Sequence, residues 1–311
     1  MKIKPFHETL KQPTYDKTYT VEQGEFAPLL FVCFFIVAIF SAALSTYRFG
    51  DMDQNYTQEM EDLREIMSEA DDDTDSSDEI AEPEEVEIPE DNLDKRTHKQ
   101  TMPDAEKLAD MNQLYEINSD TIGWLTIDDT NIDYPIMQTP DDEEYYLDRD
   151  FNKNYSANGS LILDTESDIG TGTLVNNYAD GSLPSTNLII HGHNMKNGAM
   201  FGNLDLYRKQ DYEKKHSIIK LSTLTEKREY EIVSVFLSQV YLKTQTDVFK
   251  YYKFFEAYDE EEFNDFYDNI KKLQLYDTGV TAEFGDEFIT LSVCAYHVEN
   301  GRLVVVGKRI K

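Results

Sequence analysis

The sequence predicts a mainly β fold, in which short strands form a sandwich or barrel, together with an N-terminal helix, one longer helix and one transmembrane helix. Three observations support this prediction. Short apolar, β-branched or aromatic runs recur over residues 101–311 and are separated by Gly, Pro, Asn and Asp, which is typical of strands joined by turns. Aromatic residues, which favour strands, make up 12% of the chain. Residues 26–47 carry no charge.

The first predicted element is a transmembrane helix at residues 26–47. At ~1.5 Å per residue, this uncharged run is long enough to cross a ~30 Å hydrocarbon core. Four lysines precede it within residues 1–25, and the positive-inside rule therefore predicts a cytoplasmic N-terminus and an extracytoplasmic bulk. We interpret the run as a single-pass signal anchor that holds the protein in the cell membrane. Cleavage near Ser41–Ser45 and a buried core helix are the alternatives.

The second segment, residues 48–100, is strongly acidic. Residues 51–94 hold one Arg against twenty Asp and Glu, and the whole chain has a formal charge of −32. Such a segment buries little apolar surface and repels itself, so we predict a largely disordered stalk. Apolar residues over Met60–Met67 recur at helical spacing and predict a short helix within it. A calcium-binding tract at Asp71–Asp73 is an alternative, although it lacks the Gly turn of a loop site. The charge excludes nucleic acid as a partner, because phosphate would be repelled.

Residues 101–311 are predicted to form one globular domain. It begins with a helix at Ala105–Asn118, whose apolar residues share one face. A second helix is predicted at Tyr258–Leu273, where apolar residues recur every three or four positions and acidic residues precede lysines, the order that a helix dipole favours. The predicted strands are Gly123–Ile127, Ile132–Met137, Gly159–Leu163, Asn187–His191, Ser217–Leu221, Glu229–Leu242, Phe288–Cys294 and Leu303–Val306.

The last two predicted strands bring a thiol and a guanidinium together. Asn300-Gly301 separates the strands and predicts a turn, because Gly accepts positive φ. Antiparallel pairing then places Cys294, at the end of one strand, beside Arg302, at the start of the next. A positive neighbour stabilises a thiolate nucleophile, and Arg302 could equally stabilise an oxyanion. The alternative is a core strand with a small buried Cys and an Arg that closes a hairpin.

The cysteine count favours a catalytic role for Cys294. The chain holds two cysteines, and the predicted membrane separates Cys33 from Cys294, so the two are not expected to pair. Cys294 is then an unpaired thiol outside the cell, where leftover thiols are usually avoided or used. The sequence has no cluster of Cys and His with metal-ligand spacing, so it predicts neither a metal nor an organic cofactor.

A cysteine nucleophile needs a base or an ion-pair partner, and the six histidines are the candidates. His191 and His193 stand out, because they end an apolar strand and enter a loop. Such a position is a common place for a catalytic group on a β scaffold. A structural or solvated role is the alternative for a His at a strand end. The residues alone leave both histidines as candidates.

Three motifs, taken in order, resemble the His, Cys and Arg signature of sortases, the membrane-anchored cysteine transpeptidases of Gram-positive bacteria. They are His191-Gly-His193-Asn-Met195, Thr290-Leu-Ser-Val-Cys294 and Arg302. The flanking segments are similar to those of class B sortases in particular. These segments are Gly123–Ile127, Thr130–Gln138, Tyr145–Leu147, Gly159–Asp164, Asn194–Phe201 and Leu275–Gly279. The resemblance covers about residues 105–311.

The resemblance implies a closed sortase-type β-barrel with an N-terminal helix and one long helix before the penultimate strand. It implies that Cys294 is the nucleophile and that His193, the histidine followed by Asn, is the acid/base. Arg302 would position the substrate and stabilise the oxyanion. Residues beside these three are expected to contact the substrate: Ser292, Val293 and Asn194.

The implied reaction is a transpeptidation. The enzyme would cleave a C-terminal sorting motif of secreted proteins through a thioacyl-enzyme, and transfer these proteins to an amine of a peptidoglycan precursor of the lipid II type. Two departures from the family pattern bear on it. Val293 stands where sortases usually carry Thr, and Ala295–His297 lacks an acidic residue that is often found in class B. The alternatives are a sortase that polymerises pilins through a lysine of another subunit, and a catalytically degraded, sortase-like binding module.

Overall fold

The structure, a computed structural model, describes residues 55–68, 108–170 and 183–311. Eight strands form the centre of these described residues. They are β1 (Thr121–Thr126), β2 (Asp133–Met137), β3 (Leu161–Leu163), β4 (Asn187–Gly192), β5 (Ile218–Thr223), β6 (Lys227–Gln239), β7 (Phe288–Cys294) and β8 (Gly301–Arg309). The strands close into one barrel in the order β1-β2-β3-β4-β7-β8-β6-β5. This confirms the predicted mainly β fold and its closed barrel.

Four α-helices accompany the barrel in the described residues. They are α1 (residues 55–68), α2 (Ala109–Ile117), α3 (Gln210–Glu213) and α4 (Glu260–Leu273), and short 3₁₀ helices cover Gly202–Arg208 and Tyr251–Lys253. Helix α2 matches the predicted N-terminal helix, of which residues 105–107 lie outside the described residues.

Helix α4 confirms the prediction of a long helix before the penultimate strand. Its N-terminus is capped by the carboxylate of Asp259, which accepts a hydrogen bond of 2.9 Å from the backbone N–H of Glu262. Phe263 and Phe266 are buried on one face of the helix, and the Phe263 ring stacks on that of Phe288 at 5.3 Å. The helix thus packs on the outer face of the barrel, against β6, β8 and the first residue of β7.

Strand β7 has two faces with different surroundings, because successive residues of a strand point to opposite sides. Ile289, Leu291 and Val293 belong to the hydrophobic cluster that fills the barrel. Phe288 belongs to a second cluster, between the barrel and α4. Even-numbered positions of β7, and Cys294 among them, therefore lie on the outer face of the barrel.

The C-terminal end of β7 lies beside the ends of its two neighbouring strands. On one side β7 pairs in parallel with β4, up to the pair Gly192–Val293. On the other side it pairs antiparallel with β8, up to the pair Cys294–Arg302. Parallel neighbours run in the same direction, so the residues that follow β4 and those that end β7 meet at one edge of the barrel.

Helix α1 packs against the barrel through Tyr56, Met60 and Leu63, which are all buried. The guanidinium Nε of Arg64 also contacts the carboxylate of Asp133 at 2.8 Å. The sequence predicted a short helix here, within the stalk assigned to residues 48–100. In the structure residues 55–68 pack with the barrel, because the apolar face of the helix finds a partner surface there.

The predicted transmembrane segment, residues 26–47, lies outside the described residues, as do residues 1–25 and most of the predicted stalk. In the ranges that are described, every helix is too short or too polar to cross a bilayer. Cys33 also lies outside these ranges. Cys294 has a free thiol.

The turn before β8 differs in detail from the prediction. Positive φ falls on Asn300, at 54°, and not on Gly301. Asn tolerates this left-handed conformation better than most residues. Gly301 meets a different need, because a Cβ there would collide with the carbonyl oxygen of Ala295 and lie 2.9 Å from the ring of His297.

Candidate active site

The thiol of Cys294 and the guanidinium of Arg302 occupy neighbouring strands. Their Cα atoms are direct partners in the β7–β8 ladder, as the hairpin prediction required. Cys294 is partly exposed at the end of its strand. A free, partly exposed thiol at the end of a strand is accessible to a substrate.

His193 lies at the same edge, one residue beyond the last β4–β7 pair. That pair joins Gly192 to Val293, so His193 and Cys294 are the next residues on the two adjacent strands. The Nε2 atom of His193 lies 2.7 Å from the carbonyl oxygen of Leu147. Since a carbonyl only accepts, Nε2 carries a proton, and Nδ1 is the basic atom of the neutral ring. The ring can therefore exchange a proton through Nδ1.

Asn194 connects the two strand ends directly. Its side-chain amide donates a hydrogen bond of 2.7 Å to the carbonyl oxygen of Cys294. The loop that follows His193 is closed by a backbone bridge between Asn194 and Met200. The structure thus brings Asn194, which the sequence assigned to substrate contact, against the backbone of the candidate nucleophile.

Ser292 and Val293 have opposite orientations. The Ser292 hydroxyl is on the outer face, 2.7 Å from the Tyr251 hydroxyl, and both residues are buried. Burial raises the pKa of Tyr251 to about 12, although the Ser292 hydrogen bond and the Arg302 charge act to lower it, so this phenol stays neutral at physiological pH. Val293 is 1% exposed and lies in the barrel core. Its side chain therefore does not reach the outer face.

Arg302 is held in place by its own loop. Its Nη1 atom donates to the carbonyl oxygens of Asn300, at 3.3 Å, and of Gly301, at 3.0 Å. The side chain also borders a pocket of about 190 Å³ that includes Tyr251 and His191. Arg302 is the member of the Cys294–Arg302 pair that lines this pocket.

His191 lines this pocket and pairs with an acid. Its Nε2 lies 3.2 Å from Oδ2 of Asp164, at the end of β3. Burial acts to raise the pKa of Asp164, but the His191 hydrogen bond and further polar neighbours outweigh it and leave the pKa below its ordinary value. Glu143, Asp164 and His191 place ligand atoms within 4.8 Å of one another. In the described residues these three side chains could together bind a cation, but His191 and Asp164 already form a hydrogen bond with each other.

Three groups of this site were not predicted from the sequence. The Leu147 carbonyl has no side-chain signature. Tyr251 begins a short 3₁₀ helix, Tyr251–Lys253, and in the sequence only the adjacent aromatic pair Tyr251-Tyr252 marks it. Asp164 directly follows an apolar strand, and this position could have paired it with the other strand-end residue, His191.

Comparisons with known protein families and with individual proteins both find sortases. The family model described as Sortase domain matches residues 125–310, which run from β1 to the last residues of the barrel. Sortase B of Listeria monocytogenes is 33% identical to this chain over 203 residues, which make up 65% of this chain and 74% of the relative.

Solved structures show the same fold. A Staphylococcus aureus sortase B–substrate complex matches with a TM-score of 0.58 at 22% identity, and covers 83% of this chain and 95% of that chain. Sortase B from B. anthracis in complex with AAEK1 matches with a TM-score of 0.54 at 30% identity, and covers 68% of this chain and 88% of that chain.

Proposed function

Because this chain belongs to the sortase family and is a class B member, we propose that it cleaves a C-terminal sorting motif of secreted proteins and transfers these proteins to a cell-wall amine. Sortases are cysteine transpeptidases. The observation that supports the proposal is the position of three residues at one barrel edge. Cys294 and Arg302 are Cα partners across β7 and β8, and His193 follows β4 next to the end of β7.

The reaction follows from the roles that these three side chains can take. The Cys294 thiolate attacks the carbonyl carbon of the scissile peptide bond, and the guanidinium of Arg302 stabilises the oxyanion. When the C–N bond breaks, protonated His193 gives its Nδ1 proton to the leaving amine. The acyl group then remains on the sulfur as a thioester.

The second half of the reaction reverses the proton transfer. An amine of the peptidoglycan precursor attacks the thioester, and His193 accepts a proton from the incoming nitrogen. The new amide bond forms, and the Cys294 thiolate is released. The secreted protein is thereby joined to the precursor without net hydrolysis.

The position of Val293 argues against a degraded site. Sortases usually carry Thr here, and the loss of a hydroxyl would matter if that hydroxyl faced the substrate. The Val293 side chain is in the barrel core, on the opposite side of β7 from Cys294. A hydroxyl at this position would point away from the outer face, so its loss leaves the proposed chemistry intact.

We propose that residues 26–47 anchor the protein in the membrane, with the barrel outside the cell. The sequence supports this through an uncharged run preceded by lysines. Secreted substrates and lipid-linked precursors both reach the outer surface of the membrane. Anchoring the enzyme there raises the effective concentration of each reactant.

The test is mass spectrometry of the full chain in detergent, incubated with a panel of sorting-motif peptides and a small amine. We expect a peptide-sized adduct on Cys294 and release of a peptide joined to the amine. Cys294→Ala should abolish both products, and His193→Ala should abolish turnover. Joining of peptide to amine by Cys294→Ala would overturn the proposal.

The same assay separates the two acceptor classes. A peptidoglycan-precursor amine and a lysine-bearing pilin subunit are offered in parallel. Transfer to the precursor amine supports wall anchoring, whereas a ladder of covalent multimers formed only with the pilin would replace it with pilin polymerisation.

A further inference from the structure

We propose that the backbone carbonyl of Leu147 positions His193 for proton transfer, and that Gly159 is required to keep this contact open. Both act as positioning groups. The inference rests on the proposed function, because it takes His193 as the acid/base. It concerns two residues that lie outside the Cys, His and Arg set.

The contact between Leu147 and His193 selects one tautomer of the ring. The Nε2 atom lies 2.7 Å from the Leu147 oxygen, so this nitrogen donates. In a neutral imidazole the other nitrogen then has the free lone pair. Without the carbonyl, the proton would distribute between both nitrogens, and the ring could also turn. The hydrogen bond therefore keeps Nδ1 available as the base.

The Leu147 carbonyl is itself held by a tight turn. The Leu147 N–H donates to the carbonyl oxygen of Glu144 at 3.0 Å. The preceding residue, Tyr146, is buried, and its hydroxyl donates to Asp120 at 2.8 Å. The backbone oxygen of Tyr146 accepts a hydrogen bond of 3.0 Å from Ser160. The backbone that leads into the acceptor for His193 is thus fixed before any substrate binds.

Gly159 lies against this hydrogen bond. Its φ is +59°, and a Cβ at this position would collide with the Leu147 carbonyl oxygen and lie 3.0 Å from Cδ2 of His193. One methyl group would therefore meet both partners of the hydrogen bond at once. Because the Leu147 turn is held by its own contacts, the His193 ring is the part that would move.

Gly279 offers a matched control for the backbone. Its φ is +80°, and a Cβ there would meet no atom within 4 Å. Gly279→Ala therefore introduces the strain of a left-handed Ala without a steric contact. If Gly159→Ala and Gly279→Ala differ in tautomer or in kcat, the difference reports the contact with His193 and Leu147 rather than the loss of a glycine.

The experiment measures the tautomer and the rate in the full chain in detergent. Histidine is labelled with ¹⁵N, and the His193 signals are assigned by their loss in His193→Gln. We expect neutral His193 to carry its proton on Nε2 in the wild type and in Gly279→Ala. Gly159→Ala should show a mixture of tautomers and a kcat lower by about 10- to 100-fold, a partial loss of the roughly 10²- to 10⁴-fold that acid/base catalysis contributes. Its KM should stay within about twofold.

Two results would overturn the inference. One is a neutral wild-type His193 with its proton on Nδ1, a measurement that needs no variant at Gly159 and so holds even if that variant fails to fold. The other is a folded Gly159→Ala with wild-type tautomer and wild-type kcat. If the wild-type protein forms no thioester with any peptide, the proposed function fails, but the tautomer measurement still decides the role of Leu147.

Discussion

The side-chain amide of Asn194 donates a hydrogen bond to the carbonyl oxygen of Cys294 over 2.7 Å, and so joins the loop after β4 to the end of β7. We expect Asn194→Ala to lower kcat by about fivefold, because a hydrogen bond worth roughly 1 kcal/mol no longer aligns the two strand ends. Steady-state kinetics of peptide transfer measure this change in kcat. Lys196→Ala, at an exposed position of the same loop, is the control. Equal rates in both variants would show that this bond does not align the site.

Arg302 should not be replaceable by lysine. Its guanidinium donates to two loop carbonyls and still presents further N–H groups to a substrate, whereas an ammonium is a single point charge. We expect Arg302→Lys to lower kcat/KM by about a hundredfold, the typical effect of losing one oxyanion donor. Arg208→Lys, in the 3₁₀ helix Gly202–Arg208, serves as the control. A variant within about threefold of wild type would remove Arg302 from the catalytic set.

The hydroxyls of Tyr251 and Ser292 form a coupled pair at 2.7 Å in a buried setting. Removing one hydroxyl leaves the other unsatisfied, whereas removing both leaves neither. We therefore expect Tyr251→Phe and Ser292→Ala each to lower the free energy of unfolding by about 1–3 kcal/mol, and the double variant to lose less than the sum. Urea unfolding of the four proteins gives the coupling energy. Strict additivity would mean that the bond contributes no stability.

Glu59 should make the stability of the folded protein depend on pH. Burial, together with the charge of Asp150, raises the pKa of Glu59 to about 7 from its ordinary 4.5. The Oε1 atom of Glu59 accepts two hydrogen bonds from Asn152, one of 3.1 Å from its backbone N–H and one of 2.6 Å from its side-chain amide. The Oε2 atom is buried and has no hydrogen-bond partner in the described residues. The folded state thus binds this proton more tightly than the unfolded state.

The sign of the effect follows from linkage. The contribution of Glu59 to the free energy of unfolding is greatest below pH 4.5. It declines as the pH rises through the folded-state pKa of about 7, and it is constant above that pH. Glu59→Gln, which mimics the protonated acid, should therefore unfold at higher urea than wild type at about pH 8 and show little difference at about pH 4. Glu61→Gln, at an exposed position of α1, should behave as wild type throughout. A Glu59→Gln variant that is less stable at both pH values would contradict this account.

The sequence was sufficient where structure depends on near neighbours. The hairpin of β7 and β8 follows from two β-branched runs and a turn signal, and it correctly placed Cys294 beside Arg302. Helix α4 follows from the spacing of Phe263, Phe266 and Ile270. In both cases the residues that determine the element lie within or beside it.

The sequence was not sufficient where distant segments meet. His193 and Leu147 are 46 residues apart, and the group that contacts the ring is a backbone carbonyl, which every residue has. The spacing over Met60–Met67 predicted a helix, but its partner surface comes from the barrel. Tyr56, for example, contacts Met200, which is 144 residues away. Pairings of this kind depend on the closed barrel rather than on local pattern.

The two-sided character of β7 makes this strand a natural site for changing the substrate range of the enzyme. Stability depends on the odd-numbered side chains Ile289, Leu291 and Val293, which fill the barrel. On the outer face, Ser292 is buried against Tyr251, and its β4 neighbour His191 lines the pocket that Arg302 borders. A library that varies these two residues would sample new peptide preferences at the cost of the Tyr251–Ser292 hydrogen bond, whereas changes at the odd positions would disrupt the barrel core itself.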